Sequence, residues 1–202
     1  MKKRAMIGAG LAVAVILILV FSFYTPWYNY NTEGPTEEDE VISIERDFYL
    51  NEMEVTENRE SETLDYDEEG LNEINSMFRY TEILVMIAVV GSILGLLGAI
   101  FVGLDMIKPK IGGTLAIIGI IFALTAPFYM WWSLADAFEN DMETDEVGPH
   151  RGRSYFMGRG TIGEEERSWG PGIGWFLAIA AGILNMFVSN FTKTAKSKKT
   201  KN

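Results

Sequence analysis

The segment Ile83–Leu104, ILVMIAVVGSILGLLGAIFVGL, contains no charged residue in 22 consecutive positions. As an α-helix, a segment of this length reaches across the ~30 Å hydrocarbon core of a bilayer. Three further segments lack Asp, Glu, Lys, Arg and His over similar lengths: Ala5–Tyr24, Ile111–Ala135 and Gly172–Thr192. Because lipid offers no hydrogen-bond partners, each segment must satisfy its own backbone groups as a helix. The sequence therefore predicts a mainly α membrane protein with a bundle of four transmembrane helices.

The charges predict the orientation. The chain has a net charge of −11, but its short connecting segments are basic and its two long loops are acidic. The loop from 25 to 82 contains 18 acidic residues against three arginines, and the loop from 136 to 171 contains nine against four. Ten basic residues and a single acid, Asp105, fall on the other side: Lys2, Lys3, Arg4, Lys108, Lys110, Lys193, Lys196, Lys198, Lys199 and Lys201. By the positive-inside rule, both termini are cytoplasmic in a multi-pass protein of the cell membrane.

This topology divides the chain into consecutive parts. The predicted parts are 1–24, cytoplasmic N-terminus and first transmembrane helix; 25–82, acidic extracellular loop; 83–135, second and third transmembrane helices with a cytoplasmic turn at 105–110; 136–171, second extracellular loop; 172–192, fourth transmembrane helix; and 193–202, basic cytoplasmic tail. The first span is longer than the ~7–15 apolar residues of a cleavable signal peptide and ends in aromatic residues, which favours an uncleaved signal anchor.

The first loop has strand periodicity. Ile42, Ile44, Phe48 and Leu50 alternate with polar residues, and apolar residues resume after a turn at Asn51-Glu52, which predicts a β-hairpin. A lone hairpin is marginally stable in water, so a partner strand is expected, for which the second loop offers Ser154–Met157. The segment 158–163 is interpreted as a flexible turn. From Leu71 the period becomes helical, which predicts that the second helix begins well before Ile83. The expected fold is the helix bundle with a small extracellular antiparallel sheet.

Small residues recur along the spans at helical spacing. Such rows let helix backbones approach closely in lipid, either within the bundle or at an interface between proteins. The candidate helix-packing residues are Gly91, Gly95, Ala99, Gly103, Gly174, Ala178 and Gly182. Aromatic residues near the span ends are candidate interfacial anchors, namely Trp27, Tyr28, Trp131, Trp132 and Trp175. Pro127 predicts a kink in the third span.

Signals of catalysis and transport are weak. No ionisable residue lies in the middle of a span, which argues against a coupled transporter. The chain has no cysteine and one histidine, His150, so neither a zinc site nor thiol chemistry is expected. We also expect no cofactor and no enzymatic activity. The weak metal candidates are the carboxylates of an EF-hand-like run, Asp65, Asp67, Glu69 and Glu73, whose closing position is Ser76. Glu37–Glu40 forms a second acidic run, and the lysines after residue 192 suit anionic lipid rather than nucleic acid.

Pro26-Trp27 directly follows the first span, ahead of a longer first loop and a shorter second one. This layout resembles the claudin and peripheral-myelin-protein-like tetraspan group. The first loop has no second tryptophan and the chain no cysteine, so the family's Trp-x-x-Trp-Cys-Cys region is missing. The resemblance implies a non-enzymatic scaffold, adhesion protein or accessory subunit. Its expected partners are the lipid bilayer and, in addition, further copies of the same chain or other membrane proteins. The alternative is an oligomeric channel or transport-associated subunit whose acidic loops concentrate cations.

Overall fold

The computed structural model describes residues 2–35, 41–142 and 156–195, which form four α-helices and six β-strands. In chain order the elements are α1 (Lys3–Ser22), β1 (Tyr28–Pro35), β2 (Val41–Phe48), β3 (Met53–Glu57), β4 (Glu60–Leu64), α2 (Asn72–Gly103), α3 (Pro109–Asp141), β5 (Gly158–Ile162), β6 (Glu165–Pro171) and α4 (Ile173–Lys193). All four helices are long and apolar enough to cross a membrane, as predicted. The early start of α2 at Asn72 is confirmed as well.

The chain separates into two compact units. The helical unit contains the described parts of Met1–Phe21, Ile83–Ala126 and Leu177–Asn202, and the sheet unit contains those of Ser22–Glu82 and Pro127–Phe176. All four helices contribute residues to both units, although α1 adds only Ser22 to the sheet unit.

The helical unit is a bundle of neighbouring antiparallel helices. The backbone N–H of Lys2 donates to the carbonyl of Gly103 (3.3 Å), which joins the start of α1 to the end of α2. At the same end the Lys2 ammonium lies 2.6 Å from an Asp105 carboxylate oxygen. Ala5, Val102 and Ala195 form a small apolar cluster there. The ends of three helices are therefore held together by short contacts.

The sheet unit is built on one antiparallel sheet with strand order β4-β3-β2-β1-β6-β5. The predicted hairpin is present: β2 and β3 pair from Ile44 opposite Glu57 to Phe48 opposite Met53. The first loop supplies four strands and the second loop supplies β5 and β6, of which β6 pairs with β1. Both loops therefore contribute to the sheet.

Aromatic side chains fill the core of the sheet unit. Phe48 lies with its ring centroid 6.1 Å from Phe78 on α2 and 5.2 Å from Phe138 on α3. Tyr66 stacks on Phe78 at 5.7 Å and donates its hydroxyl to the carbonyl of Tyr49 at 2.6 Å. Offset and edge-on aromatic contacts of this kind add to the free energy of burial. The sheet is therefore anchored to the first turns of α2 and the last turns of α3.

Two details of the second loop differ from the sequence prediction. The segment 158–163 is not a flexible turn: Gly158–Ile162 forms the edge strand β5, and only Gly163, with φ of +61°, lies in the turn to β6. The strand proposed at Ser154–Met157 is not observed in its described part, because Phe156 and Met157 precede β5, and Ser154 and Tyr155 lie outside the described residues. Glycine has weak strand propensity, so β5 depends on its pairing with β6.

Candidate functional site

The seam between α2 and α3 is made of small residues. A methyl group placed on Gly91 would lie 2.8 Å from the Cα of Gly119, and one on Gly95 would lie 3.1 Å from the Cα of Ala116. Gly98, which was not among the candidates, faces Gly112 in the same way at 3.1 Å. Two helices can approach this closely only where side chains are absent. This row is therefore used for packing within the chain.

The remaining packing candidates are also enclosed by the protein. Ala99, Gly103 and Ala178 are buried. A methyl group on Gly182 would lie 2.7 Å from Cγ of Leu124 on α3, and one on Gly174 would lie 2.5 Å from Cδ1 and Nε1 of the Trp27 indole. None of these candidates faces outward among the described residues, so they give no support to a lateral interface between copies.

A polar contact inside the helical unit joins α4 to α2. The side chain of Asn185 is fully buried and donates from Nδ2 to Oγ of Ser92 at 2.9 Å. Ser92 in turn donates to the carbonyl of Ala88 at 2.7 Å, while Oδ1 of Asn185 has no hydrogen-bond partner among the described residues. Asn185 was not among the sequence candidates, because its amide carries no charge. An amide in the middle of an apolar helix was the available signal.

The five aromatic candidates fall into different environments. Trp27 and Tyr28 are fully buried, and the Trp27 indole donates to the carbonyl of Ser22 at 2.8 Å. Both are therefore core residues rather than anchors at a lipid surface, because a ring enclosed by protein cannot reach lipid. Trp131 and Trp132 are 38% and 73% exposed, and Trp175 is half-buried with its indole donating to the carbonyl of Pro127 at 3.0 Å.

The EF-hand-like run forms the turn into α2. Oδ1 of Asp65 accepts from the N–H of Asp67 at 3.0 Å, and Oδ1 of Asp67 accepts from the side chain of Asn75. Gly70 has φ of +74° and ends the turn. Glu69 and Glu73 are exposed. Across residues 2–35, 41–142 and 156–195, no three acidic or histidine side chains are placed to share a metal ion. Asp65 and Asp67 are used for local hydrogen bonds.

Charged groups of the sheet unit cluster around Tyr30. Across the sheet, Tyr30 pairs with Arg46 on β2 and with Trp169 on β6, whose ring stacks at 6.3 Å. Burial lowers the pKa of Arg46, and the nearby positive charge of Arg167 lowers it further. For Arg167 itself burial acts in the same direction, but hydrogen bonds to Glu165 (3.0 Å) and Tyr30 outweigh it and raise the pKa. This face of the sheet is thus a half-buried aromatic and arginine cluster.

The acidic surface of the sheet unit extends over both faces of the sheet, because the register places Glu57, Glu60 and Glu62 on the same face as Tyr30 and Arg46. The Asn29 amide donates to the carboxylate of Asp47, whose pKa is raised because burial disfavours its charged form. Exposed carboxylates elsewhere in the described part of the sheet unit are those of Glu33, Glu45, Glu57, Glu60, Glu62, Asp65, Asp67, Glu68, Glu69, Glu73, Glu139, Glu164 and Glu166. Three sequence features, Glu37–Glu40, His150 and the lysines from Lys196 onward, lie outside the described residues.

No protein-family model matches the chain, and no curated protein matches it significantly in sequence. The four apolar helices and the antiparallel sheet fit the layout of the tetraspan group named above.

Proposed function

We propose that the chain is a multi-pass integral membrane protein of the cell membrane, with cytoplasmic termini and an extracellular sheet unit. It acts without enzymatic activity as a claudin-like scaffold, adhesion protein or accessory subunit. In this proposal the acidic surface of the sheet unit makes the specific contacts with other membrane proteins, and the helices provide the anchor in the lipid bilayer.

The observation that carries the proposal is the exposed apolar surface of the helices. Only 33–39% of the residues in their most apolar windows are buried by the protein itself. Leu17, Val90 and Phe187 are 63%, 56% and 49% exposed, and similar side chains recur along all four helices. Soluble monomers rarely leave contiguous apolar surface of this extent in water. Lipid acyl chains are the environment that such helices require.

The polar side chains of the spans favour a scaffold over a channel. Ser92 and Asn185 are buried and contact each other. Thr114 and Thr125 donate to the carbonyls of Lys110 and Ile121 on their own helix at 2.8 Å. Ser189 on α4 is also buried and donates to the carbonyl of Gly113 at 2.8 Å. A conducting pore needs a continuous lining of polar groups or backbone carbonyls, which these five side chains do not supply.

The test is cysteine accessibility in intact cells. Because the natural chain has no cysteine, single-cysteine variants report without background. Glu60→Cys, in the exposed hairpin β3–β4, is expected to react with a membrane-impermeant maleimide, and Asn202→Cys only after permeabilisation. Extraction by sodium carbonate at high pH should leave the protein with the membranes. Release by carbonate would contradict the membrane assignment, and labelling of both positions before permeabilisation would contradict the topology.

The contact function is tested by affinity isolation in mild detergent. A scaffold or accessory subunit should retain specific membrane proteins, and the quadruple variant Glu57→Gln, Glu60→Gln, Glu62→Gln and Glu166→Gln should lose them. Purified protein in liposomes should conduct no ions. Conductance that falls when the same carboxylates are neutralised would replace the scaffold with the channel alternative.

A further inference from the structure

A cavity of about 460 Å³ lies within the sheet unit, at the point where α1 leads into the sheet. It is lined by Phe23, Tyr24, Tyr49, Asn51, Glu52, Glu54, Thr63 and Glu82. All of these residues belong to the segment Ser22–Glu82, so the cavity is formed inside one compact unit. Its volume is in the range of sites that hold small organic molecules.

The carboxylates of the cavity have no basic partner. Glu52, Glu54 and Glu82 are half-buried, and neither lysine nor arginine lines the cavity or pairs with them among the described residues. Uncompensated carboxylates that are partly withdrawn from water favour a positively charged occupant.

Tyr49 lies beside the carboxylates of the same cavity. Its hydroxyl donates to Oε2 of Glu54 at 3.2 Å. Burial, this hydrogen bond and the nearby charges of Glu54, Asp47 and Glu52 raise the pKa of Tyr49 to about 12. The phenol therefore stays protonated at neutral pH and adds a ring, not a further charge, to the lining.

The aromatic rings distinguish the class of cation. Phe23, Tyr24 and Tyr49 present three rings beside the three carboxylates, and the residue Tyr24 is 76% exposed. Metal ions require several converging oxygen ligands, and no group of three acidic or histidine side chains in the described parts of the chain is arranged to share one. Aromatic faces combined with carboxylates instead suit an alkylated or primary ammonium group, which gains from cation–π attraction and ion pairing together.

From this lining we propose that the cavity is a binding site for an organic ammonium group, held by the carboxylates of Glu52 and Glu82 and by the ring of Tyr24. The positions along the chain indicate a membrane-surface location. Phe23 and Tyr24 directly follow α1, and Glu82 immediately precedes the uncharged segment Ile83–Leu104. A headgroup of phosphatidylethanolamine or phosphatidylcholine carries this chemistry, as does a soluble amine. The lipid source rests on the proposed membrane insertion, whereas the site itself does not.

The experiment uses the full chain in two preparations. In the first, delipidated protein in a neutral detergent is titrated with tetramethylammonium chloride and followed by saturation-transfer NMR. In the second, nanodiscs of phosphatidylglycerol containing a minor fraction of phosphatidylethanolamine are used, and the lipids retained after gentle extraction are identified by native mass spectrometry. The cavity variants are Glu52→Gln/Glu82→Gln and Tyr24→Leu. The control, Glu68→Gln/Glu164→Gln, also removes two charges, from exposed carboxylates of the sheet unit that do not line this cavity and are not part of the quadruple variant above.

The cavity variants are expected to weaken binding of tetramethylammonium about tenfold, while the control changes it less than about twofold. If the parent protein retains phosphatidylethanolamine and the cavity variants do not, the ligand is the lipid headgroup. If the parent protein retains no phosphatidylethanolamine but still binds tetramethylammonium, the ligand is a soluble amine. Equal binding of both probes by parent, cavity variants and control would overturn the site. Tyr24→Leu changes an exposed side chain, so it keeps the test valid if the double variant fails to fold. Liposome flotation is measured in parallel: loss of flotation contradicts the membrane proposal and leaves the detergent titration as an independent test of the cavity.

Discussion

At the scale of single residues, the seam between α2 and α3 depends on the absence of a side chain at Gly91. Gly91→Ala places a methyl group 2.8 Å from the Cα of Gly119, a contact that only a backbone shift can relieve. Overpacking of this kind costs about 1–3 kcal/mol. We expect Gly91→Ala to lower the free energy of unfolding by that amount, measured by titration with SDS in mixed micelles.

The matched control is Gly10→Ala on α1, where nothing lies within 4 Å of the added methyl group. Alanine has the higher helix propensity, so this variant should be neutral or more stable by up to about 1 kcal/mol. Equal destabilisation by both substitutions would show that the seam does not pack as described.

The contact between Asn185 and Ser92 is also a residue-scale feature with a testable asymmetry. Ser92→Ala leaves the buried amide without its 2.9 Å acceptor, whereas Asn185→Leu removes the amide altogether and leaves Ser92 bonded to Ala88. An unsatisfied buried polar group costs about 1–3 kcal/mol, while interhelical hydrogen bonds in membrane proteins average about 0.6 kcal/mol. We therefore expect Ser92→Ala to destabilise more than Asn185→Leu.

The double variant Ser92→Ala/Asn185→Leu completes the thermodynamic cycle. Its free energy of unfolding should lie close to that of Asn185→Leu alone, because no unpaired amide remains in either. Additive effects of the two substitutions, measured in the same micelles, would argue against a direct contact.

At the scale of elements, the turn between β3 and β4 contains strain that can be removed. Asn58 and Arg59 have φ of 50° and 73°, and they connect strands that pair from Glu57 opposite Glu60. Two positive φ values in a two-residue loop are typical of a type I′ turn, in which glycine is favoured at the second position. Arg59→Gly should raise the free energy of unfolding by up to about 1 kcal/mol, measured by thermal unfolding. Arg59→Ala keeps the strained φ and loses the same charge, so a similar gain there would point to charge and not to backbone strain.

Alkaline pH tests the aromatic core that joins the sheet to α2. Burial is the main reason that the pKa values of Tyr28 and Tyr66 are raised, and that of Tyr49 to about 12. A tyrosine whose pKa is raised in the folded state contributes its full stabilisation below the pKa of about 10 that it has in the unfolded chain. This contribution to the free energy of unfolding is lost as the pH rises above about 10. The melting temperature should therefore fall from about pH 10 upward.

The variant Tyr66→Phe separates this effect from other alkaline titrations. It loses the hydroxyl bond to Tyr49, so it should be less stable near neutral pH by about 1 kcal/mol. Its melting temperature should nevertheless fall less steeply above pH 10 than that of the parent protein. Tyr24→Phe, at an exposed ring, is expected to follow the parent curve. A slope in Tyr66→Phe as steep as that of the parent would exclude Tyr66 as a source of the alkaline transition.

The elements that the sequence predicts depend on residues close together in the chain, whereas those it does not predict depend on residues far apart. Each span is a property of about twenty consecutive residues, so the sequence predicts the four helices to within a few residues, apart from the C-terminal end of α3, which continues from Ala135 to Asp141. The hairpin β2–β3 is local and was found by its alternation. By contrast, β1 and β6 pair Tyr30 with Trp169 across most of the chain, and the glycines of β5 have no strand propensity of their own. Similarly, burial of Trp27 depends on Gly174, which no local pattern around Trp27 reveals.

At the scale of the whole molecule, the charge distribution is the feature that would set its orientation in a membrane. The basic residues next to the spans include Lys2, Lys3, Arg4, Lys108 and Lys110, and Lys2 pairs with Asp105 at 2.6 Å. Basic residues close to span ends determine topology, whereas acidic residues contribute little. Neutralising these five residues to Gln is therefore expected to produce a mixture of orientations. In that variant a fraction of Asn202→Cys should become labelled from outside intact cells.

The control neutralises Arg59, Arg79 and Arg159, which lie in the sheet unit and not on the basic side of the spans. It should leave Asn202→Cys protected, since these charges oppose the proposed orientation if they act at all. The control also separates topology from folding, because exposed arginines at these positions can be replaced at little cost in stability. Unchanged protection of Asn202→Cys in both variants would mean that the five basic residues do not set the orientation, and the determinant would then be sought in the lysines that follow α4.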